Sequence, residues 1–431
     1  MEKRIFEEII LDFQERKLPE LIEREILIPT NLNKTITITG VRRAGKTFLM
    51  FQIIKKLLNK IEKNRIVYIN FEDERLFPLD YKDLDKIIDI YYQLFPQNID
   101  KKVYFFFDEL QNIENWEIFI RRISDTKNVQ IFISGSSSKL LSKEISTTLR
   151  GRTITYQLYP FSFREFLKFK NVKYTGSSGS KAIVKNLLRK YLGLGGYPEI
   201  VDKNSLIRRK ITQEYLDVLI YRDLMERYKI RNLKVLKLFI KTILQNYSKY
   251  FSVNKFYNFF VGQGISVSRN TLYEFTDYIE DAYFSFFLPK YEISLKKQEI
   301  SPKKVYCVDL GFVDLIQSEI YKNYGRRAEN VVFLELKRRI ELNPKQNIFY
   351  YNNKSEVDFL IKEGFKIKQA IQVCWDTSDL ETKEREIKGL VKAMKEFKLK
   401  EGLIITESSE KEEIIENKKI IYKPLWKWLL S

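Results

Sequence analysis

The chain has 431 residues, 44% of them hydrophobic and 31% charged, a composition that excludes a disordered chain and leaves room for about three domains. It contains no histidine, and its two cysteines, Cys307 and Cys374, lie far apart, so histidine triads, histidine-ligated metals, zinc sites and disulfide frameworks are not expected. The formal net charge is +19, which suits a polyanionic partner and is also what a lysine-rich composition produces by itself.

The start, Met1-Glu2-Lys3-Arg4, leads into an amphipathic pattern and not into a signal-peptide core. No apolar run has the length of a membrane span, so a cytoplasmic chain without membrane association is expected. The first third alternates strand-like and helical runs. Thr35 to Thr39, Arg65 to Phe71, Val103 to Phe107 and Val129 to Ile133 are nearly continuous in Ile, Val, Phe and Tyr, as in strands buried on both faces of a parallel sheet. A fifth strand is expected at Thr153 to Tyr159, and helices at Phe48 to Leu58 and Asp83 to Leu94. The alternation predicts an α/β layer with right-handed crossovers.

From Phe161 to Lys241 the pattern is helical, broken at Tyr174 to Ser180 and at Gly193 to Pro198. Residues 252–281 read helix, turn, helix, with Gly262-Gln263-Gly264 as the turn and Ser268 as N-cap. Residues 161–300 carry 25 Lys and Arg against 13 Asp and Glu, so the basic excess sits mainly here. Beyond about residue 300 a mixed pattern returns. It has helices at Asn330 to Arg339 and Thr382 to Phe397, and strands at Ile348 to Asn352, Val357 to Ile361, Ala370 to Trp375 and Leu403 to Thr406.

Gly40-Val41-Arg42-Arg43-Ala44-Gly45-Lys46-Thr47 is GxxxxGK[ST], placed after a strand and before a helix. Its glycines let backbone N–H groups turn inward around phosphate, and the helix N-terminus adds positive potential. Gly40, Arg42, Arg43, Ala44, Gly45, Lys46, Thr47 and Phe48 are therefore the expected ATP-binding residues. Lys46 is expected to reach the β- and γ-phosphates and Thr47 to ligate Mg²⁺. Asp108 and Glu109 follow a buried strand at its carboxyl end, where ligands of parallel sheets gather. Asp108 is the second expected Mg²⁺ residue, and Glu109 the group that polarises the attacking water. Among the serines of Ser134-Gly135-Ser136-Ser137-Ser138, Ser134 is the first choice for sensing the γ-phosphate, with a turn and N-cap as the structural alternative. Arg152, in Arg150-Gly151-Arg152, is a candidate for stabilising transferred phosphate charge, often across a subunit interface.

These motifs resemble a family of archaeal and bacterial AAA-type ATPases with a C-terminal nuclease-like domain of unknown function. The resemblance is carried by Thr39 to Thr47, Asn70-Phe71-Glu72-Asp73, Asp108-Glu109-Leu110-Gln111, Ser134-Gly135-Ser136 and Gly151-Arg152. It continues through Tyr159 to Phe166, Gly195 to Glu199, Arg222-Asp223-Leu224, Glu356 to Phe359, Ile371-Gln372-Val373 and Pro424 to Leu430, and so covers nearly the whole chain. It implies an AAA-type P-loop core over residues 1–160, a helical lid over 161–241, a winged-helix segment over 242–299 and a PD-(D/E)XK-like α/β domain over 300–431.

That nuclease fold needs a carboxylate on one strand and Glu-x-Lys on the next. Asp358 fits the first position and Glu335 could add a carboxylate, but the next strand reads Gln372-Val373-Cys374, with Lys368 as a migrated lysine at best. The domain is accordingly expected to be degenerate, a scaffold or binding surface. The second helix of the helix-turn-helix sets Arg269 against Glu274, Asp277 and Glu280, which suits a phosphate-lined groove poorly. Arg208-Arg209-Lys210 and the run Arg227 to Lys241 are better placed for phosphate contact.

The expected function is an ATPase using ATP and Mg²⁺ whose nucleotide state is coupled to DNA binding or remodelling through the basic 161–300 region. The alternative is a nucleotide switch acting on a protein partner through the nuclease-like domain. ATP-regulated, metal-dependent DNA cleavage is a weaker third reading. A homo-oligomer follows if Arg152 acts in trans.

Overall fold

The near-continuous apolar runs of the first third pair side by side. The structure, a computed structural model, describes residues 3–136, 151–316, 323–377 and 380–431, and divides into two units, Met1–Tyr159 and Pro160–Ser431. In the first, β1 (Thr35–Thr39), β2 (Ile66–Asn70), β3 (Val103–Asp108), β4 (Val129–Gly135) and β5 (Thr153–Gln157) form a parallel sheet in the order β2-β3-β4-β1-β5. Helices α1 (Lys3–Glu15), α2 (Lys46–Leu58), α3 (Leu84–Leu94) and α4 (Trp116–Thr126) accompany it. In α1, Phe6, Ile9, Ile10 and Phe13 recur at helical spacing and are buried. They share a core with Ile87 and Tyr91 of α3, Phe105 and Phe107 of β3, and Ile120 of α4. Each such fully buried side chain contributes roughly 1.5–3 kcal/mol of transfer free energy.

The second unit begins with helices. Helix α5 (Phe163–Phe169) opens on a capping box in which the Glu165 N–H donates to Ser162 Oγ and the Ser162 N–H to Glu165 Oε2. It is followed by α6 (Ser178–Leu194), α7 (Ser205–Val218), which runs on as a π-helical stretch over Leu219–Glu226, and α8 (Leu233–Gln245). Next come β6 (Lys249–Phe251), α9 (Val253–Gly262), α10 (Arg269–Asp281), β7 (Ser285–Leu288), α11 (Leu295–Ile300) and β8 (Lys303–Cys307). The three strands form an antiparallel sheet in the order β6-β8-β7. From α8 the succession is thus helix, strand, helix, helix, strand, and then a last strand after the short α11.

Helices α12 (Leu310–Ile316) and α13 (Tyr324–Leu342) lead to β9 (Gln346–Asn352), β10 (Glu356–Glu363), β11 (Lys366–Val373), α14 (Leu380–Glu396), β12 (Glu401–Thr406), β13 (Lys411–Ile415), β14 (Lys418–Pro424) and α15 (Leu425–Leu429). Their sheet has the order β13-β14-β12-β11-β10-β9, and Leu360, Ala370, Leu390, Met394, Ile404 and Tyr422 pack into one core beside it. The hairpin β13-β14 has no counterpart among the sequence-based expectations. Lys411 to Ile415 is an edge strand dominated by charge, so it lacks the apolar alternation of a strand. Its turn places Glu416 and Asn417 at φ 49° and 59°, the left-handed pair a two-residue hairpin requires.

Gly195, at φ 82°, lies so close to Asp309 that a Cβ there would stand 1.8 Å from Oδ1. The N–H groups of Gly196 and Gly311 donate to the two carboxylate oxygens at 2.6 and 2.7 Å. Burial pushes the Asp309 carboxyl up to about 7 despite these bonds. Cys307 and Cys374 are both buried and free, as expected of small core residues. Among the described residues, no helix is long and apolar enough to cross a membrane.

Candidate functional site

Strand β1 ends at Thr39, and the backbone turns at once through conformations that suit glycine. Gly40 has φ 143° and Gly45 φ 98°, with Arg43 also left-handed at 63°. A Cβ on Gly40 would lie 2.1 Å from the Leu158 carbonyl oxygen, so only glycine lets the loop pack there. The loop then enters α2 at Lys46, a 13-residue helix whose free N–H groups and dipole face the loop.

Lys46 is 5% exposed. Its ammonium donates to the carbonyls of Gly40 and Val41 at 3.2 and 3.3 Å and lies 3.6 Å from Glu109 Oε1. Beside it, Thr47 Oγ1 donates to Asp108 Oδ2 at 2.7 Å. Tyr68 on β2 donates to that same oxygen at 2.8 Å, and Ser134 Oγ donates to Oδ1. Burial raises the Asp108 carboxyl, and the three hydroxyls and the neighbouring Glu109 charge modify that effect without reversing it. Glu109 is different. Burial would raise its carboxyl, but Lys46, the Gln111 amide and Arg42 outweigh burial and hold it below the usual carboxylate range. Gln111 Nε2 donates to Glu109 at 2.5 Å.

The backbone of Glu109 is left-handed, φ 53° and ψ 39°, which for a non-glycine residue costs about 1 kcal/mol or more and breaks the strand direction after Asp108. Its N–H donates to Ser134 Oγ at 3.1 Å. Ser134 can serve both neighbours because β4 pairs with β3, and β1 pairs with β4 on its other side. The carboxyl ends of these three strands therefore bring together Lys46, Thr47, Asp108, Glu109 and Ser134. Arg42 pairs with Glu72 at 3.3 Å, and Phe48, on the outer side of α2, is 52% exposed.

Other candidates lie elsewhere. The Arg152 carbonyl accepts the N–H of Thr35, at the start of β1, and its side chain pairs with Asp125 at 2.8 Å. It thus stands at the opposite end of the strands from the phosphate loop of its own chain. Ser137, Ser138 and Arg150 lie outside the described residues.

Glu335 does not join Asp358. It is buried among Arg164, Arg339 and Arg338 at 3.0, 3.0 and 3.9 Å. Glu329 points to Asp358 instead, because six residues on a helix do not return to the same face. Lys368 is exposed on β11, and the lysine that reaches Asp358 is Lys304 of β8.

Arg24 is a site residue that pattern reasoning misses. It lies in a stretch without regular structure, is 6% exposed, and its guanidinium donates to the carbonyls of Ala44 in the loop and Tyr159 after β5, at 2.7 and 2.6 Å. Gln52 of α2 fixes its backbone through Oε1 at 2.7 Å and Nε2 at 3.2 Å. A buried arginine sixteen residues before the loop has no local signature.

The residues present fit ATP with Mg²⁺: a glycine-dependent loop, a lysine held by loop carbonyls and a carboxylate, and hard hydroxyl and carboxylate oxygens side by side.

An AAA domain model matches residues 32–167, a Domain of unknown function (DUF8612) residues 185–318, and a Domain of unknown function (DUF4143) residues 324–428. The segment expected to be nuclease-like thus matches a domain whose function is unknown. "Uncharacterized protein MJ1544" of Methanocaldococcus jannaschii is 41% identical over 447 residues, covering 100% of this chain and 96% of that protein. An "Uncharacterized protein" of Haemophilus influenzae is 30% identical over 304 residues, covering 70% and 74%. Among solved structures, Cdc6p from Pyrobaculum aerophilum aligns over 59% of this chain and 80% of that one, at 12% identity and a TM-score of 0.27, too low to bear on fold or function. With 41% identity across its full length to the archaeal protein, the chain belongs to the family of these relatives, and it is built from an AAA domain followed by two domains of unknown function.

Proposed function

We propose that the chain binds ATP with Mg²⁺ at residues 40–48, hydrolyses it, and couples its nucleotide state to DNA binding or remodelling. The observation that carries the ATPase reading is the meeting of Lys46, Thr47, Asp108, Glu109 and Ser134 at the carboxyl ends of adjacent parallel strands. Backbone N–H groups of the loop and Lys46 bind phosphate oxygens. Lys46 exchanges its bonds to Gly40 and Val41 for the ligand. Thr47 and Asp108 would hold Mg²⁺, which supplies charge neutralisation on the transferring phosphate. Asp108 is then ionised, since a cation beside it offsets the effect of burial. Glu109 is ionised near neutrality and accepts a hydrogen bond from the attacking water, orienting it. Ser134 bridges Asp108 and Glu109 and is positioned to report which phosphates are present. Because Arg152 stands at the far end of the strands, it reaches nucleotide only on a second copy, and a homo-oligomer enters the proposal through it.

DNA coupling is supported by the exposure of Arg209, Lys210, Lys229, Arg231, Lys234 and Lys241 on and between α7 and α8. It is also supported by the helix–strand–helix–helix–strand–strand succession from α8, the order of a winged helix. Glu274 and Asp277 lie exposed on α10, so contact is assigned to phosphates and not to base edges.

The test is steady-state ATP hydrolysis by wild type and Lys46→Ala, with single- or double-stranded DNA at low and moderate salt. Turnover that needs Lys46 and rises with DNA in a salt-sensitive way is expected. Turnover that needs Lys46 but ignores DNA would leave the ATPase and transfer the coupling to a protein partner. No Lys46-dependent turnover would refute the proposal.

A further inference from the structure

Outside the phosphate site, a buried charge cluster lies in the second unit around Lys304. Residue 304 is on β8, within the segment that matches the first domain of unknown function, and it is 2% exposed. Its ammonium reaches into the following domain, 3.1 Å from Glu329 Oε1 on α13, 2.6 Å from Glu356 Oε1 and 2.8 Å from Asp358 Oδ1 on β10. An ammonium has three N–H donors; here it donates to Glu329 and Asp358 and pairs with the Glu356 carboxylate. Two of the three carboxylates have a further donor. Asp358 Oδ2 accepts the Val373 N–H at 2.9 Å, and Glu329 Oε1 accepts the Tyr306 hydroxyl at 2.7 Å. The Asp358 N–H donates to Gln372 Oε1 at 3.0 Å, and Gln372 in turn donates to Glu386. The Tyr250 ring lies 5.8 Å from the ammonium.

We infer that Lys304 is the built-in cation of this carboxylate pocket: it holds the place that a divalent metal takes in an oxygen-ligand site, and it clasps the two domains of unknown function together without metal. An isolated group of buried carboxylates would repel itself and call for a cation, and a fixed ammonium in contact with all three satisfies that need. A divalent ion placed beside the ammonium would meet its repulsion at contact distance in a site with little water to screen it. Burial would lower the lysine, but Asp358 and Glu329 outweigh it and hold the ammonium charged well above its ordinary range. Burial and the neighbouring Asp358 also raise Glu329, to about 7. Gln372, where a metal site would place a glutamate, is engaged as an amide that donates to one neighbour and accepts from another.

The inference has a consequence that a purely structural lysine would not: removing the ammonium should create a metal site. The experiment is a Mn²⁺ titration followed by electron paramagnetic resonance on the full-length, nucleotide-free chain, comparing wild type with Lys304→Ala. The half-exposed Glu356 is changed to Gln in each background to identify which Mn²⁺ belongs to the pocket. The expected result is that wild type shows no Mn²⁺ site sensitive to Glu356→Gln. Lys304→Ala should gain one that Glu356→Gln weakens at least tenfold, and Mn²⁺ should raise the melting temperature of Lys304→Ala but not of wild type. A wild-type Mn²⁺ site weakened by Glu356→Gln overturns the inference, and so does a Lys304→Ala chain that gains none. If Lys304→Ala does not fold, Lys304→Met replaces it with the same readouts, and the wild-type arm decides independently.

Discussion

The part of the proposed ATP site most exposed to a decisive test is the arginine behind the loop. Arg24→Met keeps the length of the side chain and removes its donors. The bonds lost include those to the carbonyls of Ala44 and Tyr159 at 2.7 and 2.6 Å, both given by a charged, buried group. Hydrogen bonds to charged groups contribute roughly 1.5–3 kcal/mol each, so the pair contributes about 3–6 kcal/mol, shared between the stability of the unit and the shape of the loop. If the Ala44 bond alone serves the loop, its loss removes about 1.4 kcal/mol or more from nucleotide binding, which is tenfold in Kd. Equilibrium titration with a fluorescent ATP analogue, beside a thermal melt, separates the two shares. Arg24→Lys keeps the charge but cannot span both carbonyls, and should fall between wild type and Arg24→Met. A lowered Tm with Kd unchanged within twofold would show that Arg24 serves the fold alone.

Tyr68→Phe removes one hydroxyl donor from Asp108 while the ring stays against Phe13 and Phe51. The Mg²⁺ concentration for half-maximal hydrolysis should rise several-fold with little change in Tm, and an unaltered Mg²⁺ requirement counts against the placement of Asp108. Arg152→Ala should lower specific activity at least tenfold if a second copy uses it, and mixing it with Lys46→Ala should restore part of the activity. No restoration, or no loss, removes Arg152 from the site. Asp309 titrates at about 7 in the folded chain against an ordinary 3.8, so the folded state holds a proton that the unfolded chain releases between those values. Its contribution to stability therefore falls as pH rises from about 4 to 7, by on the order of 4 kcal/mol. Across that range the wild type should lose about this much more stability than Asp309→Asn, since the other raised carboxyls, Glu329 among them, contribute alike to both; parallel curves would refute the buried-acid account.

What could be read from sequence was whatever is local in the chain. The phosphate loop is eight consecutive residues whose glycines, lysine and hydroxyl follow a strand and open a helix, so its turn and its chemistry are encoded together. Strands β1 to β4 of the first sheet are buried on both faces, and β2 and β3 therefore appear as nearly continuous apolar runs, while β1 alternates Thr with Ile. The edge strand β13, rich in Lys and Glu, carries no such record because solvent, not a core, sets its composition.

Tertiary structure alone decided which distant groups meet. Ser134 reaches both Asp108 and Glu109 because β4 pairs with β3, a neighbour that no strand encodes about itself. The choice of Glu329 over Glu335 is a matter of helical phase on α13, and Lys304 finds Asp358 across 54 residues because β8 and β10 are brought together in the folded unit. Sequence determined the loop and its neighbouring acid pair because backbone conformation and hydrophobic burial are written over a few residues. It could not determine Arg24 at the loop or Lys304 among carboxylates, since a buried charge is placed by partners that only folding brings within hydrogen-bonding distance.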